Sequence, residues 1–212
     1  HHVGVYASKT DGHMIKATHP KSLLHGSPVS ALLAAAVMNG KYVNAVPLYR
    51  LEQEFLRYGL AITRQNMANW TIQCADRYLA VLYDYLHEKM YHYHVLQADE
   101  TPVLVNKDGR SAGSKSFMWV YRTGRMYTEQ PIILYEYQKT RNACHPREFL
   151  EDFKGICVTD GYQVYHTIEN EREDLKISGC WSHARRRFDE AVKALPKAAR
   201  NGSRAYLALG MI

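Results

Sequence analysis

The stretch His94–Val105, HVLQADETPVLV, decides how this chain is read. Val95, Leu96 and Ala98 lead to Asp99, and Glu100, Thr101 and Pro102 follow at once. An apolar run cut off by Asp-Glu-Thr-Pro predicts a buried strand that delivers a carboxylate to its C-terminal edge. The stretch Ile156–Tyr162, ICVTDGY, repeats the pattern: apolar residues reach Asp160, and Gly161 lets the chain turn sharply. Two strands that each end in an aspartate can build a divalent-cation site, because hard cations take carboxylate oxygens. The bland alternatives are that Asp99 caps a turn through Thr101, and that Asp160 is only the turn residue of an Asp-Gly pair.

The composition agrees with a folded core and an anionic partner. Of 212 residues, 46% are hydrophobic, and 27 Lys+Arg against 21 Asp+Glu give a formal charge of +6. An excess of that size suits nucleic acid without requiring it. The four cysteines, Cys74, Cys144, Cys157 and Cys180, form no Cys-x-x-Cys pair, so reduced thiols and a cytoplasmic setting are expected. No apolar run is long enough for a membrane span, and no signal peptide is seen. The chain opens on His1-His2 without Met and stops as a helical pattern begins at Arg204–Leu209, so a fragment is expected.

Outward from the two acids, the periodicity changes with position. Residues 1–26 carry clustered histidines and read as a loose surface segment. Residues 27–92 read as helical: Ser27-Pro28 starts a first helix stopped by Asn39-Gly40, and Pro47 opens a second that ends at Gly59. Thr63 caps a third that carries Met67, Trp70 and Cys74 and reaches Met90. The last two resemble a helix-turn-helix, which would place Arg64, Gln65 and Asn66 near bases or phosphates; the alternative is a hairpin that only packs.

Residues 93–212 switch to period two. Strand one is followed by a turn at Asn106–Gly109, then by strands at Phe117–Arg122 and Ile132–Tyr137, an antiparallel meander. A helix from Pro146, a strand at Ile156–Thr159, a short segment at Tyr162–Glu171 and a strand at Leu175–Cys180 come next. A helix capped by Ser182, burying Ala184, Phe188, Ala191, Val192 and Leu195, closes the order. This βββαβ(α)βα series predicts a mixed α/β, five-stranded ribonuclease H-like domain, with the two acids on strands one and four.

Three basic groups remain. Arg185, Arg186 and Arg187 open the last helix against its positive end, so either an anion lies nearby or the run is simply solvated. Lys139, Arg141 and Arg147 form a second patch suited to a DNA backbone. His183 stands at a helix start, near the acids or DNA; a zinc site shared with Cys180 would need two further ligands. Glu100 points to the opposite sheet face from Asp99 by alternation, and Glu190 is a rival third acid or an exposed helix residue.

Several long motifs carry a family resemblance: QADET (97–101), SFMWVYRTG (116–124), ILYEYQKTRNACHPREFLEDFKG (133–155), VTDGYQVY (158–165) and GCWSHARRRFDEAVKALP (179–196). With NGKYVNAVPLYRLEQEFLRYG (39–59) and TRQNMANW (63–70), the chain from about residue 26 onward resembles bacterial transposases of the insertion sequence 66 family. The resemblance implies a DDE transposase that cuts and joins double-stranded DNA at element ends and target. It further implies two Mg2+ or Mn2+ ions, and Asp99 and Asp160 as the first two catalytic acids and metal ligands. Assembly as a homo-oligomer on DNA, at the bacterial nucleoid, is expected with it. Two departures stand out. Ser8, in VYASKTDG (5–12), replaces a cysteine of the zinc-binding segment, so residues 1–26 would be its remnant. The third acid, a glutamate in an Asn- and Arg-rich motif, is expected past residue 212. The alternative function is a catalytically inactive, DNA-binding remnant of such an enzyme.

Overall fold

The computed structural model describes residues 4–16, 21–105, 109–111 and 113–212. The chain divides into two compact units, His1–Leu82 and Tyr83–Ile212. His1, His2, His19 and Asn106 lie outside the described residues.

The first unit opens on an antiparallel hairpin of β1 (Val5–Ala7) and β2 (Met14–Lys16), all exposed, where the sequence pattern gave only loose structure. Helices follow: α1 (Ala31–Met38), α2 (Leu48–Arg57), α3 (Arg64–Cys74) and the start of α4 (Ala80–Met90). The cap of α1 is Ser30, whose hydroxyl accepts the Leu33 N–H at 3.2 Å. Ser27, the expected cap, accepts Val29 N–H at 3.3 Å instead, so Pro28 lies before the helix rather than inside it. Asn39-Gly40 does not stop the chain; one wide π turn, Asn39–Val43, continues α1. The expected long third helix is α3 and α4 joined by a second π turn, Ala75–Leu79. Thr63 caps α3 as expected, accepting the Asn66 N–H at 3.2 Å. Leu24, Val37, Leu51, Met67, Trp70 and Cys74 form this unit's core.

The second unit is built on a sheet of β3 (Val95–Leu104), β4 (Lys115–Thr123), β5 (Ile133–Gln138), β6 (Gly155–Thr159) and β7 (Leu175–Gly179), in the order β5-β4-β3-β6-β7. β3, β4 and β5 pair antiparallel, while β6 and β7 run parallel to β3. Connections are made by α5 (Cys144–Phe149), α6 (Gln163–Asn170) and α7 (Trp181–Ala194), with α8 (Arg204–Leu209) after them. Tyr83, Leu86 and Met90 of α4 pack with this unit, which draws its boundary inside that helix.

One face of the sheet is dry. Leu96, Ala98, Trp119, Tyr121, Leu134 and Cys157 point into a core closed by Phe149, Phe153, Tyr165 and Ile168. Tyr121 stacks on Phe149 at 3.5 Å between ring centres. The opposite face carries Gln97, Asp99 and Val158, all partly exposed. β6 enters this layer through Gly155, at φ +148, where a Cβ would lie 2.3 Å from the His94 carbonyl oxygen. No other residue fits so close a crossing.

β3 departs from expectation in one respect: it does not end at Asp99 but runs on to Leu104. The Val95 carbonyl accepts from Gly124 N–H, and the His94 carbonyl accepts from Ile156 N–H. Odd-numbered residues therefore turn their backbone groups to β4, and even-numbered ones to β6. The pairing of β3 with β6 stops at Gln97↔Val158, so Pro102 faces an open edge where no N–H is needed.

Candidate functional site

Asp99 stands two residues beyond that last parallel pair, and Asp160 stands two residues beyond Val158. Counted on from that register, the two aspartates are level, each just past the end of the β3–β6 ladder. Both fall on the half-open face by alternation, away from the packed core. The end of the β3–β6 ladder frees the Glu100 N–H, and Asp99 Oδ1 takes it at 2.9 Å. Asp160 Oδ1 accepts the Tyr162 N–H at 2.8 Å, an Asp-Gly turn made possible by Gly161 at φ +84. Each carboxylate thus uses one oxygen on a nearby backbone N–H and has the other beside a side chain.

The second oxygens meet different groups. Asp99 Oδ2 lies 3.6 Å from His183 Nε2 of α7, and the Asp99 side chain is 47% exposed. His183 Nδ1 is buried with no hydrogen-bond partner. Asp160 Oδ2 lies 3.7 Å from the Arg141 guanidinium. α7 follows directly on β7, and the Cys180 N–H donates to the Thr159 carbonyl at 2.8 Å, which sets the helix start beside the tip of β6. A small pocket of about 220 Å³ is lined by Gln97, Asp99, Arg122, Val158, Cys180 and His183, among others. Arg122 was not singled out from sequence, although Arg122 pairs with Gln97 and so shares the face of Asp99.

Beneath Asp99, on the dry face, Glu100 is held by a separate network. Its side chain has no exposed surface, and it accepts from both Arg141 Nε, at 2.6 Å, and Tyr165 Oη, at 3.1 Å. Burial pushes the Glu100 carboxyl above its ordinary range, while the Arg141 guanidinium opposes the rise. Arg141 also stacks on the Tyr162 ring at 3.8 Å, and Tyr162 Oη donates to the Arg141 carbonyl. Arg141 is therefore tied into the sheet and the Asp160 turn rather than presented to solvent as a free cation.

The remaining basic residues divide. Arg185 and Arg186 are exposed on α7, close in sequence to His183. Lys139 is exposed at the end of β5. Arg147 is committed to Glu171 through two contacts of 2.7 Å. Arg64 and Gln65 are exposed at the start of α3 in the other unit; Gln65 donates to Asn69 at 3.0 Å and Arg64 lies over the Tyr49 ring. Among the described residues, no group of three or more His, Cys, Asp or Glu side chains is placed to hold a metal ion. No described helix is long and apolar enough to cross a membrane.

A mixed five-stranded sheet in this order, an antiparallel meander extended by two parallel crossovers, is the ribonuclease H-like fold. The chain belongs to the transposase IS66 family, whose model matches residues 26–209. It is similar to two uncharacterized proteins of Sinorhizobium fredii (strain NBRC 101917 / NGR234). Protein y4qI is 32% identical over 92% of this chain and 38% of its own length. Protein y4jD is 27% identical over 85% of this chain and 37% of its own. The chain thus spans less than two fifths of the curated relatives it matches. A solved intasome of simian T-cell lymphotropic virus in complex with PP2A regulatory subunit B56 gamma aligns over 56% of this chain and 48% of its own, at 10% identity. Its TM-score of 0.30 is too low to bear on the site.

Proposed function

We propose that this chain contributes the phosphodiester-processing centre of a DNA transposase, with Asp99 and Asp160 as two of its carboxylates. The observation that supports the reading is that both aspartates lie two residues past the last parallel pair of β3 and β6, Gln97↔Val158, on the open face of the sheet. Their donor set, two carboxylates, is of the kind that a hard divalent cation such as Mg2+ or Mn2+ takes. A bound cation there supplies Lewis-acid stabilisation of the charge that develops on phosphate during strand cleavage and transfer. His183, 3.6 Å from Asp99, orients that carboxylate, and Arg185, Arg186 and Lys139 bind flanking phosphates. Arg64 and Gln65 provide a second DNA contact from the helical unit. DNA is the partner, and synapsis of two ends calls for more than one copy.

The test is Mn2+ binding by the chain, followed by calorimetry and electron paramagnetic resonance, together with Mn2+-dependent nicking of duplex DNA. Asp99→Asn and Asp160→Asn should each weaken Mn2+ binding by ten-fold or more while leaving the fold intact by circular dichroism. Mn2+ binding that both variants retain would sink the assignment. A second reading, a DNA-binding protein without catalysis, is favoured by one observation: among the described residues, no group of three or more His, Cys, Asp or Glu side chains is placed to hold a metal ion. Tight DNA binding with neither Mn2+ uptake nor nicking would establish it.

A further inference from the structure

α7 does not bury the face its sequence pattern lays out. Of Ala184, Phe188, Ala191, Val192 and Leu195, only Val192 is buried, and Phe188 is exposed. Trp181, the first residue of the helix, is 71% exposed, whereas Trp70 and Trp119 are 7% and 0% exposed. Trp181 and Phe188 border a cavity of about 660 Å³, lined also by Asp160, Gly179, Cys180 and Arg187, among others. The size falls within the range of roughly 300–1,000 Å³ typical of small-ligand sites. Arg187 lines it directly, Arg185 and Arg186 precede it on the helix, and the first turn of α7 holds no acidic residue. An aromatic wall, a cationic helix and an adjoining strand-tip carboxylate form an unusual combination. Apolar ligands have no use for the arginines, and small anions have none for Trp181 and Phe188. A nucleotide uses both: its base presents a π face and its phosphates carry charge.

We infer that this cavity receives one unstacked nucleobase of a DNA strand, held against Trp181, while Arg187 and its neighbours engage the flanking phosphates. The position of the cavity next to Asp160 gains meaning from the proposed phosphodiester centre, on which the inference rests for that point alone. The base would be drawn out of the helix beside the phosphate to be processed, and so fix that phosphate in place. Base capture itself needs no metal. It favours single strands, frayed ends and mismatches over continuous duplex, because an already unpaired base costs least to unstack.

The experiment follows tryptophan emission of the whole chain in EDTA, so that a failure of metal chemistry leaves it untouched. The probe is a short thymidine oligonucleotide, compared with an abasic oligonucleotide of equal length and a closed dumbbell duplex. The thymidine strand should quench emission, because Trp181 is the exposed tryptophan, and the two controls should quench little. Affinity of the variants is read by anisotropy of the end-labelled thymidine strand, and Trp181→Leu should lower it about ten-fold, in keeping with the worth of one base–aromatic stack. Trp181→Phe should keep most of the affinity. Gly179→Leu is a second, independent plug: Gly179 lines the cavity, and a Cβ on it meets no atom within 4 Å. It should block base capture with little change in stability. Equal quenching by the abasic strand or the dumbbell, or wild-type affinity in both Trp181→Leu and Gly179→Leu, would overturn the inference.

Discussion

Glu100 shows how one residue can matter beside a site without belonging to it. Neighbouring positions on a strand face opposite ways, so Asp99 reaches the open face and Glu100 enters the core. A buried carboxylate is tolerated only when its oxygens are satisfied, and here Arg141 and Tyr165 do so. The same burial pushes the Tyr165 hydroxyl up, so Tyr165 remains a donor at any ordinary pH. Replacing Arg141 by Met would strand the Glu100 charge. Breaking a fully buried pair costs about 3–5 kcal/mol; Arg141 is 38% exposed, so a loss of roughly 2–3 kcal/mol is expected, read by urea unfolding. Adding Glu100→Gln should recover most of it, since the amide oxygen can still accept from Tyr165. An Arg141→Met variant as stable as the parent would show that water already serves Glu100. The basic run around Arg141 read from sequence as a DNA patch; the structure shows why that reading needs sorting residue by residue. Arg141 and Arg147 have acidic partners far along the chain, at Glu100 and Glu171, which no local pattern reveals.

At the scale of elements, the parts legible in sequence were those fixed by local chemistry. Thr63 caps α3 because a side-chain oxygen two or three residues ahead of a free N–H is a purely local arrangement. Thr63→Ala should therefore cost about 1 kcal/mol and Thr63→Ser much less, seen as a lower thermal midpoint of the helical signal. An unchanged midpoint in Thr63→Ala would mean that water serves the Asn66 N–H equally well. The meander, the alternation that separates Asp99 from Glu100, and the Asp-Gly turn at Asp160 were equally readable. What failed depended on neighbours. β3 runs through Pro102 because β6 has already left its edge, which the proline itself does not announce. Ser27-Pro28 and Ser30 are both plausible starts for α1, and only the observed hydrogen bonds separate them. The apolar stripe of α7 was read as a buried face, since amphipathic periodicity reports the capacity to pack and not whether a partner is present. Phe188, on that stripe, stands exposed in the wall of the cavity at Trp181. Arg122 was missed for a simpler reason: its face follows from its pairing with Gln97, and pairing is not written in one strand.

For the molecule as a whole, the formal charge of +6 matters less than where unpaired cations lie. Binding to duplex DNA releases counterions, and the logarithm of affinity falls with the logarithm of salt by about 0.9 for each phosphate contacted. Counting basic residues alone, Arg147 should contribute to that slope as much as Arg185 or Arg186. The structure separates them: Arg147 is already neutralised by two contacts to Glu171, whereas Arg185 and Arg186 stand exposed on the helix that carries His183. Fluorescence anisotropy over a range of KCl concentrations distinguishes the two accounts. An Arg185→Ala, Arg186→Ala double variant should lower the slope by about 1.8, two contacts' worth. Arg147→Ala should leave the slope unchanged and alter stability only slightly, as expected for an exposed ion pair. A slope that drops by about 0.9 in Arg147→Ala would mean that DNA outcompetes Glu171 for the guanidinium. A slope unmoved by the double variant would place the bound duplex away from α7, and with it the phosphate contacts that give the cavity beside Asp160 its purpose.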